Sequence, residues 1–150
     1  VTRRRVLVLC THNSARSQMA EGFARALAGD RVEVVSAGTE ATRVHPLAIR
    51  AMAEIGIDVS AHTSKTLDRF VTQPWDYVIT VCDGANERCP VFPIGTTRIH
   101  WSFEDPSQAT GPEDERLAVF RRVRDEIASR LRGWLEEQEK QSSHRVSTAR

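Results

Sequence analysis

No run of apolar residues in this sequence approaches the roughly eighteen that a membrane-spanning helix needs, so no membrane span is expected in it. The opening residues, Val1 to Arg5, lack the apolar core of a secretory signal, and a cytoplasmic protein is expected. Cysteine is scarce, three in 150 residues, which is too little for a structural disulfide framework. In a reducing compartment such thiols serve catalysis, redox chemistry or metal binding. Neither sign of charge prevails: Lys+Arg 21 against Asp+Glu 20 gives +1, and nothing draws the chain to nucleic acid or anionic lipid. The cluster Arg3-Arg4-Arg5 reads as a solvated approach to the first strand. There is no internal repeat, and the length fits one domain with a substantial core.

What the sequence does have is a loop, Cys10-Thr11-His12-Asn13-Ser14-Ala15-Arg16-Ser17, between the apolar run Val6–Leu9 and a helical pattern. A cysteine and an arginine at this spacing on a strand-to-helix turn suit a thiolate facing a tetrahedral oxyanion. The N–H groups of Thr11, His12, Asn13, Ser14 and Ala15 can line a nest, and the helix N-terminus adds positive potential. Arg16 supplies a planar fork for two oxygens. The same field is expected to lower the Cys10 pKa from about 8.5, with Ser17 donating a hydrogen bond to the sulfur.

The rest of the pattern alternates. Strands are expected at Val6–Leu9, Val32–Ser36, Tyr77–Val81 and Gly95–Trp101. Helices are expected at Ser17–Leu27, from Pro46 to a Gly56 stop, and from about Pro112 to Gln138, with Phe120, Val123, Ile127, Leu131 and Trp134 on one face. The expected fold is therefore α/β, a single domain over residues 1–138 with a four-stranded parallel sheet covered by helices on both faces. Residues 139–150 are polar and aperiodic and read as a disordered tail. Ligands of such sheets bind beyond the strand C-termini, where Cys10, Cys82 and the loop after Trp101 all fall.

Cys82 and Cys89 admit several readings. Two small buried residues would need no chemistry. Zinc would want closer spacing and a histidine at ligand distance, so no metal site is expected. Seven helical steps would separate the two backbones by about 10 Å, whereas a disulfide needs roughly 4.4–6.8 Å. A bond between them would unwind the segment, which Gly84 and Pro90 make easy, and this favours a redox switch. Asp105, in an Asp-Pro turn after the last strand, is a candidate general acid. His12 adds potential to the loop or faces solvent. His45, His62 and His100 read as cap or surface residues, and His144 falls in the tail.

Taken together, the stretch Leu9 to Gly22, Ser36-Ala37-Gly38, Val81-Cys82-Asp83, Cys89-Pro90 and Trp101 with Asp105-Pro106 resembles the thioredoxin-coupled arsenate reductases. These share the low-molecular-weight protein tyrosine phosphatase fold. The resemblance implies a relay of three thiols. Cys10 attacks arsenate held by the loop and Arg16 while Asp105 assists the leaving oxygen. Cys82 then releases arsenite and leaves a Cys10–Cys82 disulfide, and Cys89 carries the bond outward as Cys82–Cys89 for thioredoxin. It implies no bound cofactor, NADPH reaching the chain only through thioredoxin reductase and thioredoxin, a monomer, and arsenical resistance as the role. Some relatives also bind potassium through residues matching Asn13, Glu21, Ser36 and an acidic residue near Thr63. Here that place falls to Lys65, whose ammonium is expected to replace the ion. Ala15 stands where some relatives carry another cysteine, which leaves the three-thiol relay intact.

The main alternative is a low-molecular-weight protein tyrosine phosphatase using Cys10, Arg16 and Asp105 alone. It leaves Cys82 and Cys89 idle, and Ser107-Gln108-Ala109-Thr110 offers no aromatic wall for a phosphotyrosine ring. A redox sensor that binds an oxyanion without turnover is a further reading, opposed by the pairing of nucleophile and acid.

Overall fold

The computed structural model describes residues 3–148, with side chains over 3–141. Strand β1 (Arg4–Cys10) carries five consecutive buried residues, Val6 to Cys10. Successive strand residues point to opposite faces, so both faces of the sheet are covered at β1. Its neighbours are β2 (Val32–Gly38) and β3 (Tyr77–Thr80), and β4 (Thr97–His100) lies outside β3 in the order β2-β1-β3-β4, all parallel. The chain leaves β1 first toward β2 and then returns past it to β3. The C-terminal end of β1 is thus the switch point at which such sheets bind ligands. Register places Cys10 beside Gly38, and Val81 N–H donates to Leu9 O at 2.9 Å, so Cys82 follows on the same rim.

Helices α1 (Arg16–Ala28), α2 (Pro46–Ala53) and α4 (Glu113–Thr148) pack on one another. Proline opens α2, and the His45 ring caps it, Nδ1 accepting from Leu47 N–H at 3.1 Å. Helix α4 buries Leu117, Phe120, Val123, Ile127 and Leu131, and Trp134 meets Tyr77 and Trp101 edge-on at 5.0 and 6.0 Å. Arg124 crosses from α4 to the end of α2 and donates to Ala51 O at 2.9 Å and Glu54 Oε1 at 3.1 Å. An otherwise unpaired helix-end carbonyl is satisfied in this way.

Three expectations change. Strand β4 is shorter than Gly95–Trp101, because Gly95 (φ 99°) still belongs to the turn before it. Helix α4 does not stop at Gln138: it continues to Thr148, with Glu139 paired to Arg31 and good helix formers in Glu136 to Lys140. Of the expected tail, residues 149–150 lie outside the described residues. Nor are Arg4 and Arg5 merely solvated. Both lie in β1, with Arg5 bonded to Glu33 at 2.7 Å and stacked over Trp75 at 4.1 Å, and Arg4 bonded to Tyr77 Oη at 2.6 Å.

Candidate active site

The carbonyls of the loop from Cys10 to Arg16 are tied to the surrounding chain. Thr39 N–H donates to Cys10 O, Glu40 N–H to Thr11 O, Ser64 Oγ to His12 O, Gln18 Nε2 to Asn13 O and His45 N–H to Ser14 O. In contrast, the N–H groups of His12, Asn13, Ser14 and Ala15 meet no acceptor among the described residues. Successive N–H groups with their carbonyls tied back are the geometry of an anion nest. Asn13 makes the turn with φ 50°, a left-handed conformation that asparagine tolerates better than most residues.

Asn13 is fully buried, and its side chain braces the loop rather than lining it. Nδ2 donates to Ser17 Oγ and Ser36 Oγ, both at 2.9 Å, while Oδ1 accepts from Gln18 Nε2 at 3.0 Å and Lys65 N–H at 2.8 Å. Ser17 Oγ accepts from Asn13 here, which leaves its O–H free, and no bond from it to the Cys10 sulfur is present among the described residues. Gly38 supports the loop from β2. A Cβ there would lie 2.6 Å from Thr11 O and 2.8 Å from Asn13 N, so only glycine fits.

Arg16 is the first residue of α1, which aims its guanidinium along the loop. Nη1 donates to Phe103 O at 3.1 Å, Nη2 lies 3.4 Å from Asp105 Oδ2, and Nε is buried without a partner. A buried unpaired donor on a cation beside a nest suits an anion as its acceptor. Asp105 is oriented by Ser107, whose N–H and Oγ donate to Oδ1 at 3.0 and 2.7 Å. Ser107 entered the sequence reading only as a missing aromatic wall, and its orienting role went unrecognised. It lines the small mouth of the site with Cys10, His12, Ser14 and Asp105. His12 is half-exposed and faces Glu40 at 3.8 Å.

The second thiol, that of Cys82, sits against the anion loop. Cys82 caps the short helix α3 (Asp83–Glu87), its sulfur taking the Ala85 N–H at 3.4 Å and lying 3.3 Å from Thr11 Oγ1. Hydrogen bonding from Cys10, Thr11 and Ala85, aided by the Arg16 charge and opposed by burial, brings the Cys82 thiol down to about 5. Cys10 moves the opposite way to the expected one. Its hydrogen bond to Cys82 and its burial push it up, and Arg16 opposes this without prevailing. The two thiols titrate as one coupled pair, so the first proton lost belongs to the pair rather than to either sulfur alone. We predict one thiolate per molecule by ultraviolet absorbance, persisting as pH falls to about 5 and vanishing below. A reduced chain without thiolate absorbance at neutral pH would contradict this assignment.

Cys89 lies beyond α3, partly exposed, with its thiol bonded only to Pro90 O at 3.7 Å and raised by burial. The helix covers only 83–87, less than the whole interval between the cysteines. Behind the loop, Glu21 is buried, accepting Ser36 N–H at 2.8 Å and facing His62 at 3.1 Å, Arg25 at 3.5 Å and Lys65 Nζ at 4.0 Å. His62, expected as a cap or surface residue, is packed here, its pKa lowered first by burial. Lys65 Nζ also donates to Thr63 O at 2.9 Å. These oxygens already serve an ammonium and N–H donors, so the residues do not fit a potassium ion. Potassium and sodium chloride at equal strength are expected to give the same melting temperature. Stabilisation by potassium alone would overturn this.

The fold and the cysteine-arginine loop define the low molecular weight phosphotyrosine protein phosphatase family, whose model matches residues 5–144; the chain belongs to it. Within that family it is similar to an arsenate reductase of Halalkalibacterium halodurans, 50% identical over 131 residues, covering 87% of this chain and 94% of that protein. A solved arsenate reductase in a phosphate-binding state superposes with TM-score 0.73 at 37% identity, over 89% of this chain and 98% of that one. A thioredoxin-dependent arsenate reductase of Corynebacterium glutamicum superposes at 0.71 with 31% identity, over 93% of this chain and 63% of that one.

Proposed function

We propose that this chain reduces arsenate to arsenite by a relay through Cys10, Cys82 and Cys89, with thioredoxin as the external dithiol. The observation that carries the reading is the placement of a second buried thiol, Cys82, against the anion loop that begins at Cys10, its sulfur 3.3 Å from Thr11 Oγ1. A phosphatase needs only the first of these sulfurs.

The coupled titration gives each sulfur its turn as nucleophile. With the proton on Cys82, the Cys10 thiolate attacks arsenic. An arsenate hydroxyl takes a proton from Asp105 and leaves as water, and a sulfur–arsenic bond forms. Once Cys82 is again the thiolate, it attacks Cys10 Sγ. The sulfur–arsenic bond pair passes to arsenic, As(V) becomes As(III), arsenite departs, and a Cys10–Cys82 disulfide remains. The Cys89 thiolate then attacks Cys82 Sγ and Cys10 leaves as a thiolate. Thioredoxin supplies the two electrons that reopen Cys82–Cys89.

The same nest accepts phosphate, so slow hydrolysis of small aryl phosphates is expected beside the main reaction. The mouth lined by His12, Ser14, Asp105 and Ser107 has no aromatic wall to favour a phosphotyrosine ring. NADPH oxidation with thioredoxin, thioredoxin reductase and arsenate tests the proposal. Oxidation that needs arsenate, thioredoxin and Cys10 supports it. Brisk aryl-phosphate hydrolysis without arsenate-dependent oxidation would make the chain a phosphatase.

A further inference from the structure

A chain of hydrogen bonds outside the anion loop crosses the start of α3. His100 ends β4, with its Nε2 2.9 Å from Asp83 Oδ1 and its Nδ1 2.7 Å from Thr80 Oγ1. Asp83 is the first residue of α3, immediately after Cys82. Thr80, buried at the end of β3, also lies 3.5 Å from Asn86 Oδ1 within that helix. An ionised carboxylate only accepts, so His100 Nε2 carries a hydrogen and donates to Asp83. The Asp83 carboxyl is held below its usual range by this bond first and by Ser102 second. Arg98, also on β4, adds a bond from Nη2 to Asn86 O at 3.4 Å.

The segment so fastened is the one that must move. While α3 is closed, its first turn holds the Ala85 N–H against the Cys82 sulfur. A Cys82–Cys89 bond needs Cα atoms within roughly 4.4–6.8 Å, which a helical turn through Asp83 and its successors does not allow. Fastening α3 therefore helps the attack of Cys82 on Cys10 and resists the later attack of Cys89 on Cys82.

We propose that Asp83, His100 and Thr80 form a latch, His100 being a positioning residue that ties the first turn of α3 to β4 and sets how readily Cys89 reaches Cys82. The inference rests on the relay proposed above. The step it governs is a disulfide exchange: the Cys89 sulfur bonds to Cys82, the Cys10–Cys82 bond breaks, and no net electrons are gained or lost.

The test compares the full chain with His100→Phe, His100→Gln and Asp83→Ala, by hydrogen exchange over residues 83–89. It also follows Cys82–Cys89 formation when one equivalent of diamide withdraws two electrons from the dithiol. Exposed side-chain pairs of this kind contribute little, so loss of the latch is expected to speed both readouts by no more than about fivefold. His100→Gln, which retains an N–H donor, should lie nearer the native chain. The Asp83 side chain is 74% exposed, so Asp83→Ala, which removes the acceptor, spares the core and carries the test if His100→Phe does not fold. Native exchange and native bond formation in Asp83→Ala and in every folded His100 variant would overturn the latch. Neither readout uses arsenate or thioredoxin, so a chain inert toward arsenate would sink the proposed function and leave the latch decided separately.

Discussion

Replacing Cys89 with serine is expected to leave one arsenite released per molecule and to abolish every later turnover. The reason is accessibility. Cys10 and Cys82 are each only 3% exposed, so a disulfide between them is closed to a second protein. Cys89 is partly exposed, and in the proposed relay it is the thiol that would bring the bond to the surface. In Cys89→Ser the cycle stops at Cys10–Cys82, after arsenite has gone. Cys82→Ser should stop one step earlier, with arsenic still bound to Cys10 and no arsenite formed. Single-turnover arsenite yield and disulfide mapping by mass spectrometry distinguish the two arrests. Sustained turnover by Cys89→Ser would mean that the reductant reaches the first disulfide directly, and the relay would fail.

The second large effect is expected at a residue that touches no substrate. Gly38→Ala puts a methyl group 2.6 Å from Thr11 O and 2.8 Å from Asn13 N. Both are backbone atoms of the anion loop, so relief requires the loop itself to shift. Displacements near an ångström in a reacting geometry cost about a hundredfold in rate, and overpacking costs roughly 1–3 kcal/mol of stability. We expect kcat to fall about a hundredfold with a lowered melting temperature. Gly133→Ala provides the contrast, because nothing lies within 4 Å of its added Cβ. Alanine within helix α4 should leave activity native and raise stability by up to about 1 kcal/mol. Native activity in Gly38→Ala would show that the loop does not depend on this support.

What sequence reasoning reached and what it missed divide by range. The loop was legible because its parts are neighbours: an apolar strand, a cysteine, small polar residues, an arginine and a helical period follow within a few residues. Asp105 was legible from its place after the last strand. Ser107 was passed over, although its position two residues on is the ordinary spacing of an Asx turn, a signal that could have shown what orients Asp105. Lys65 was legible only through the family resemblance, while His62 and His100 gave no local signal for what they do. Each of the two histidines acquires its role from a partner far along the chain: Glu21 for the first, Thr80 and Asp83 for the second. The direction of the Cys10 shift was misjudged for the same reason. Reading the loop alone counts Arg16 and the N–H groups, whereas the deciding neighbour is Cys82, seventy-two positions later.

The sequence by itself determined the alternation of strands and helices, the oxyanion loop, the three thiols and the absence of a membrane-spanning helix. Those follow from periodicity, turn chemistry and composition, which act between near neighbours. Only the tertiary structure decided that the Cys10 and Cys82 titrations are coupled, what Asn13 braces, why position 38 is glycine and what fastens α3. Those depend on distances between strands that the order β2-β1-β3-β4 brings together, and local spacing carries no record of them.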